Sequence, residues 1–231
     1  MTREVRADAA MRLRQMHDKL YAAYGPQHWW PAQSPWEVVV GAYLTQNTAW
    51  KAVERSLTNL REGGVLSIPG IRAISLFDLQ ELIRPSGFQT RKGPALKAFV
   101  AMLDAEFGGS LDAMAIAPVD SLRPRLLDLP SVGLETADAI LLYALGRSVP
   151  VADEYLRRIV ERHRLVETKQ ERSRHAYAAL IQLARDAFAK DPEPHRAQLY
   201  NEFHALTVAV GKAHCAKTAR CQGCPLAYDL K

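Results

Sequence analysis

The sequence predicts an all-α fold, and three observations predict it. Apolar residues recur at helical spacing along nearly the whole chain, as with Met11, Leu13, Met16, Leu20 and Tyr21. Strand-like runs are short, and none alternates for long. Glycine and proline interrupt the pattern at 63–64, 69–70, 85–87, 108–109 and 130–133, the punctuation of many short helices joined by turns.

The first helix is expected over Met11–Tyr24, ended by Gly25-Pro26-Gln27-His28, with Trp29-Trp30-Pro31 in a loop. Ser34 reads as an N-cap with Pro35 at the first helical position, where a missing N–H costs little. That pair opens the apolar run Trp36–Leu44. Further helices are expected at 49–61, 76–83, 92–107, 121–127, 134–146, 154–163, 171–188 and 194–211. There is no internal repeat and no low-complexity segment.

At 231 residues the chain suits one large domain or two small ones. Its 48% hydrophobic and 24% charged residues are ordinary for a soluble globular protein. No apolar run reaches the ~18 residues of a membrane span. No signal-peptide core follows the charges of Met1-Thr2-Arg3-Glu4-Val5-Arg6, so a cytoplasmic location is the default expectation. A net charge of +5 and a pI near 9.2 fit a phosphate-binding surface without demanding one. The three cysteines, Cys215, Cys221 and Cys224, all fall in the last 17 residues. An odd, tightly spaced set argues against a disulfide framework and for metal.

The most informative stretch is Leu129-Pro130-Ser131-Val132-Gly133-Leu134-Glu135-Thr136-Ala137. Here a helix ends, a turn follows, and Gly133 frees the backbone before the next helix, whose first N–H groups can receive a phosphate. An ordinary helix–turn–helix corner has the same local chemistry. Downstream, Asp153 precedes the helix beginning at Glu154 and can serve as its N-cap.

The stretch resembles Leu-Pro-Gly-Val-Gly-x-x-Thr-Ala, the hairpin signature of the endonuclease III family of helix-hairpin-helix DNA glycosylases. The resemblance implies that Leu129, Pro130, Ser131, Val132 and Gly133 grip the DNA backbone; Ser131 departs from the signature's first glycine. Val149-Pro150-Val151-Ala152-Asp153 is similar to the segment carrying the family's essential aspartate, which implies that Asp153 is catalytic. A lone carboxylate suits that chemistry, because losing a base builds positive charge on the sugar. Bifunctional members place a lysine just before the Thr-Ala pair. Glu135 stands there and cannot form a Schiff base, so a monofunctional, water-using enzyme is expected.

Tyr43-Leu44-Thr45-Gln46-Asn47-Thr48 resembles the segment whose amide fills the gap left by a flipped base, with Asn47 at the matching position and Gln46 beside it. Arg84-Pro85-Ser86-Gly87-Phe88 resembles the wedge loop, with Phe88 as the wedge. For each, an ordinary loop residue remains the alternative. Trp29-Trp30-Pro31, together with these loops and Ala197-Gln198-Leu199-Tyr200 with Phe203-His204, is similar to the 3-methyladenine DNA glycosylase branch. That likeness implies a base pocket at Trp29 and Trp30, although packing inside the protein would also account for them.

Cys215-x5-Cys221-x2-Cys224 resembles the family's iron–sulfur loop, Cys-x6-Cys-x2-Cys-x5-Cys, with Leu230 at the fourth position. The expected cofactor is a [4Fe–4S] cluster on three cysteines, with Asp229 or His214 as fourth ligand; zinc is the alternative. Lys212, Lys217 and Arg220 surround the loop as candidate phosphate contacts.

The resemblance spans roughly residues 29–230. It implies a two-lobed helix-hairpin-helix glycosylase fold, with a six-helix domain at 34–146 and a second domain from 1–33 and 147–231 bearing the cluster loop. The implied partner is double-stranded DNA containing damaged bases, bound by a monomer with no membrane involved. The leading activity is hydrolysis of alkylated purines. The alternatives are a glycosylase/AP lyase for oxidised pyrimidines and a non-catalytic binder of damaged or abasic DNA.

Overall fold

The computed structural model describes residues 3–166, 174–193 and 195–230. Among them every regular element is helical, and the one β pairing is an isolated bridge between Cys215 and Ala219. In chain order the helices are α1 (Arg3–Tyr24), α2 (Pro35–Leu44), α3 (Trp50–Glu62), α4 (Ile68–Ala73), α5 (Leu76–Leu82) and α6 (Gln89–Phe107). They continue with α7 (Leu111–Ile116), α8 (Val119–Leu127), α9 (Leu134–Ala139), α10 (Glu154–Arg162), α11 (Arg174–Ala187) and α12 (His195–Ala213). The chain divides into a terminal unit, Met1–Trp29 with Ser148–Lys231, and a central unit, Trp30–Arg147.

The central unit is built on α2. Ser34 Oγ accepts from Glu37 N at 3.2 Å, Pro35 sits in the first turn, and every residue from Trp36 to Leu44 is buried. Apart from Glu37, whose carboxylate accepts from Arg61 at 2.8 Å, the helix is apolar on all sides, and such a helix belongs in a core. The α3 helix turns Val53, Ser56, Leu57 and Leu60 inward, a single face at 3.6-residue spacing.

Two helices escaped the sequence pattern. Pro69-Gly70 reads as a break, yet α4 runs through it, because Ser67 caps the helix and proline is tolerated in the first turn. Gly70 is required there, since a Cβ would lie 2.6 Å from the Val65 backbone. The α7 helix is too short for periodicity to register, and Ser110 caps it. The expected helix 134–146 is α9 followed by a π-helical turn, Ile140–Ala144, closed by Leu145 N to Ile140 O at 3.1 Å.

In the terminal unit α1 packs along α11 and α12, and α10 lies on α12. Leu13, Met16 and Leu20 of α1 are fully buried, as are Phe188, Tyr200 and Phe203. Phe188 is 5.3 Å from Phe203 and 5.7 Å from Tyr200, ring centre to ring centre. Each such side chain contributes about 1.5–3 kcal/mol by leaving water. Of the expected helix 171–188, residues 171–173 lie outside the described residues. No helix among the described residues is long and apolar enough to cross a membrane.

Candidate active site

In the central unit α8 ends at Leu127, residues 129–133 turn, and α9 begins at Leu134. The residue in the left-handed region is Ser131, at φ 62°. Gly133, expected to supply the backbone freedom, is extended (φ −97°, ψ 179°) and caps α9. A serine therefore carries a conformation that costs an L-residue on the order of 1 kcal/mol. A Cβ at Gly133 would meet nothing within 4 Å, so the chain's own packing does not demand glycine there. Leu129 is half-buried, Pro130 exposed, and Val132 buried beneath the turn.

The turn is held from two sides. Gln46 Nε2 donates to Ser131 O at 2.8 Å and to Thr136 Oγ1 at 3.2 Å. Arg123 of α8 forms a two-pronged pair with Asp138 of α9, Nε–Oδ1 2.6 Å and Nη2–Oδ2 2.9 Å, with Asp138 completely buried. Nothing in the sequence announces this pair, because fifteen residues separate its members. Glu135, at the lysine position, is exposed in the first turn of α9.

Gln46 is thus committed to the hairpin, and the exposed amide is that of Asn47, at φ 53°. Phe88 is also left-handed, at φ 51°, and more than half exposed ahead of α6. Lys92, buried behind it, donates to Leu44 O (2.8 Å), Thr48 Oγ1 (2.9 Å) and Ser86 O (2.9 Å). Burial pushes its ammonium down to about 8. The sequence reading passed over Lys92, whose position inside a helical stretch looks like any surface lysine.

Trp29 and Trp30 are both half-buried, and they fall in different units. Trp30 packs on Gly41, where a Cβ would lie 3.3 Å from its ring, and stands edge-on to Trp50 (5.6 Å) and Tyr143 (5.4 Å). Trp50 and Tyr143, the latter on the π turn, are members of this aromatic group that the sequence reading missed.

In the terminal unit Asp153 caps α10: its Oδ1 accepts from Leu156 N at 2.8 Å. Its Oδ2 lies 3.7 Å from Nε2 of His204 on α12, beyond a direct hydrogen bond, and the carboxylate is one-tenth exposed. One oxygen is spent on structure, and the other faces an imidazole. His204 is fifty-one residues away in the chain, so only packing reveals it.

The cysteine loop folds back on itself after α12. His214 Nδ1 donates to Arg220 O at 2.9 Å, and Arg220 N donates to His214 O at 2.8 Å. Cys215, Cys221, Cys224 and His214 line one cavity of about 240 Å³, with Arg162 and His163. Arg162 Nη1 donates to Cys215 Sγ at 3.0 Å, and its Nη2 holds the carbonyls of Ala216 and Lys217. Burial, with Cys215 and Cys221 nearby, pushes the Cys224 thiol above its usual value. No three His, Cys, Asp or Glu side chains among the described residues are grouped tightly enough to hold a metal ion as they stand.

Asp229, expected as a ligand, is placed otherwise. Arg12 grips both its oxygens (2.9 and 2.6 Å), His163 Nδ1 lies 3.0 Å from Oδ2, and the carboxylate does not line the cavity. Burial works to raise that carboxyl, but Arg12 and His163 outweigh it and hold it below the usual carboxylate range. An anion already neutralised by a guanidinium is a poor ligand. Lys212, Lys217 and Arg220 are exposed around the loop.

Comparison with known proteins decides the family. The model of the HhH-GPD superfamily of base excision DNA repair proteins matches residues 40–183. The chain belongs to that superfamily. A relative from Methanocaldococcus jannaschii, named as a DNA repair glycosylase, is 40% identical over 88% of both chains. The thymine/uracil-DNA glycosylase of Pyrobaculum aerophilum is 29% identical, covering 92% of this chain and 87% of that protein. Among solved structures, the H. pylori 3-methyladenine DNA glycosylase bound to 1,N6-ethenoadenine aligns with TM-score 0.74 and 28% identity over 87% of this chain and 97% of that one. An endonuclease III–DNA complex shares the fold, with TM-score 0.74 at 20% identity, covering 96% and 95%. The protein is therefore a DNA-binding base excision repair glycosylase of the HhH-GPD superfamily, resembling endonuclease III.

Proposed function

We propose that this glycosylase hydrolyses the N-glycosidic bond of alkylated purines in duplex DNA, uses water as nucleophile, and does not cleave the strand. Two separate observations carry the reading: Asp153 is a sheltered carboxylate, and an exposed carboxylate, Glu135, stands where a lyase needs an amine. As the C1′–N bond breaks, its electron pair leaves with the base, and the Asp153 Oδ2 charge offsets the positive charge growing on the sugar. Water then adds to C1′, and its proton passes to Asp153. The aromatic group of Trp30, Trp50 and Tyr143 suits an electron-poor purine, since cationic rings stack favourably on π faces. The ethenoadenine held by the H. pylori relative supports that class.

In this reading Leu129–Gly133, with Asn47 and Phe88, receives the distorted duplex, and Lys212, Lys217 and Arg220 add phosphate contacts. The unfilled space over Gly133 supports close approach of a phosphate. Cys215, Cys221 and Cys224 would hold a [4Fe–4S] cluster, with His214 rather than Asp229 as fourth ligand. A ligating histidine commonly donates its other ring nitrogen to a carbonyl, and His214 does so to Arg220. The group would brace the loop. Zinc on the same four side chains is the alternative, and iron, sulfide and zinc analysis with absorbance near ~400 nm separates them.

A second reading, removal of thymine or uracil, is favoured by the Pyrobaculum relative. The test is a panel of duplexes carrying 3-methyladenine, thymine glycol, a G·T mismatch and an abasic site, with Asp153→Asn alongside. Release of 3-methyladenine, lost in the variant and without borohydride trapping on the abasic duplex, is the expected result. Release of thymine alone establishes the second reading. Efficient covalent trapping, or full release by Asp153→Asn, overturns the mechanism.

A further inference from the structure

Three corners of the central unit carry a non-glycine residue in the left-handed region: Asn47, Phe88 and Ser131. Such conformations persist only where the surroundings over-determine them. Here the surroundings are two side chains that the proposed chemistry leaves unused. Lys92 Nζ, on a side chain that is almost completely buried, ends in three acceptors: Leu44 O and Thr48 Oγ1 of the first corner, and Ser86 O of the second. All three ammonium protons are thereby used, so Lys92 is no candidate nucleophile. Thr48 Oγ1 reinforces the link by donating to Ser86 O at 2.7 Å. Ser86 is pinned in turn to buried Ser56, Oγ to Oγ 2.7 Å. The Lys92 ammonium also sits 5.7 Å over the Phe88 ring. On the other side of the first corner, Gln46 ties it to the third through Ser131 O and Thr136 Oγ1.

We infer that Lys92 and Gln46 are positioning residues that lock Asn47, Phe88 and the hairpin into one register, so that a rigid three-point surface opens the duplex. The inference rests on the proposed duplex-distorting role of those corners. A surface held in place before binding loses little conformational entropy on contact, and that saving appears as preference for DNA that is already weakened. Lys92→Met keeps the apolar stem and removes every donor. Gln46→Met and Thr48→Val cut single links.

The test uses the full chain and two duplexes, one undamaged and one with a tetrahydrofuran abasic analogue opposite 2-aminopurine, whose fluorescence rises on unstacking. Lys92→Met is expected to lower affinity for the abasic duplex about tenfold and to suppress the fluorescence rise, with affinity for undamaged duplex within about twofold. In a Phe88→Ala background Lys92→Met should cost less than it does alone, because part of its effect passes through Phe88. Equal losses on both duplexes, or effects that multiply with Phe88→Ala, overturn the positioning role. If Lys92→Met does not fold, Gln46→Met and Thr48→Val carry the test, each expected to lose about threefold on the abasic duplex alone. Wild-type behaviour in both then overturns it. A wild-type protein with no preference for the abasic duplex would refute the duplex-distorting role itself, and this inference with it.

Discussion

Replacing Gly211 with alanine drives a methyl group into Tyr155. Built on the α12 backbone, that Cβ would lie 2.2, 2.4 and 2.6 Å from Tyr155 Cδ1, Cγ and Cβ. Carbon atoms settle at about 3.5–4 Å, so α10 must withdraw by roughly 1 Å. Turning the tyrosine ring gives no relief, because rotation about χ1 leaves its Cβ where it was. Overpacking of this kind costs about 1–3 kcal/mol, and in a chain of this size each kcal/mol lowers Tm by about 2–4 °C. The displaced helix is the one Asp153 caps, two residues ahead of Tyr155. On the catalytic role proposed for Asp153, moving its carboxylate by ~1 Å costs on the order of a hundredfold in rate. Thermal unfolding followed by circular dichroism reads the first effect, and single-turnover base release with enzyme in excess reads the second. A variant with Tm within about 1 °C of wild type and a release rate within about twofold would refute the packing argument and the link from Gly211 to the site together.

Arg123→Met removes the two-pronged guanidinium pair from the buried Asp138 carboxylate. The expected loss is about 3 kcal/mol, seen as a Tm lower by roughly 6–12 °C, with Asp138→Asn in the same background restoring part of it. Gly133→Ala should leave Tm nearly unchanged, because its Cβ meets no protein atom, yet weaken duplex binding about tenfold in a titration at fixed salt. A matched loss of stability would show instead that the glycine serves the fold. Stability against pH tests Lys92. Its folded-state value near 8 lies below the ordinary 10.5, so between those values the unfolded chain holds a proton that the folded chain has released. Wild type should therefore gain stability relative to Lys92→Met as pH rises from about 8 to about 10, measured by urea unfolding, and a shrinking gap would contradict the burial argument.

Much of the helical layout was legible because it is written in local chemistry. Ser34-Pro35 announces α2 by the capping rules, and Trp36–Leu44 is apolar but for Glu37, which suits a core helix. The α4 helix was not legible, since Pro69-Gly70 reads as a stop until the close approach of Val65 explains the glycine. Ser131, the departure from the hairpin signature, is the residue that takes the left-handed conformation, while Gly133 does not. Asp229 looked like a ligand from its spacing to the cysteines. Its capture by Arg12 involves a residue 217 positions away, which spacing within the loop cannot register.

By itself, the order of residues determined the all-helical class, the hairpin signature, the cysteine spacing and the absence of an amine at Glu135. These are properties of neighbours along the chain, set by propensity, periodicity and capping within a few residues. Tertiary structure alone decided which polar atoms meet: Lys92 with three acceptors from two corners, Arg123 with Asp138, His204 with Asp153, and His214 rather than Asp229 beside the thiols. Such partners are chosen by burial, where an unpaired polar group costs more than its hydrogen bond returns, and burial is a property of the folded chain, not of the order of its residues.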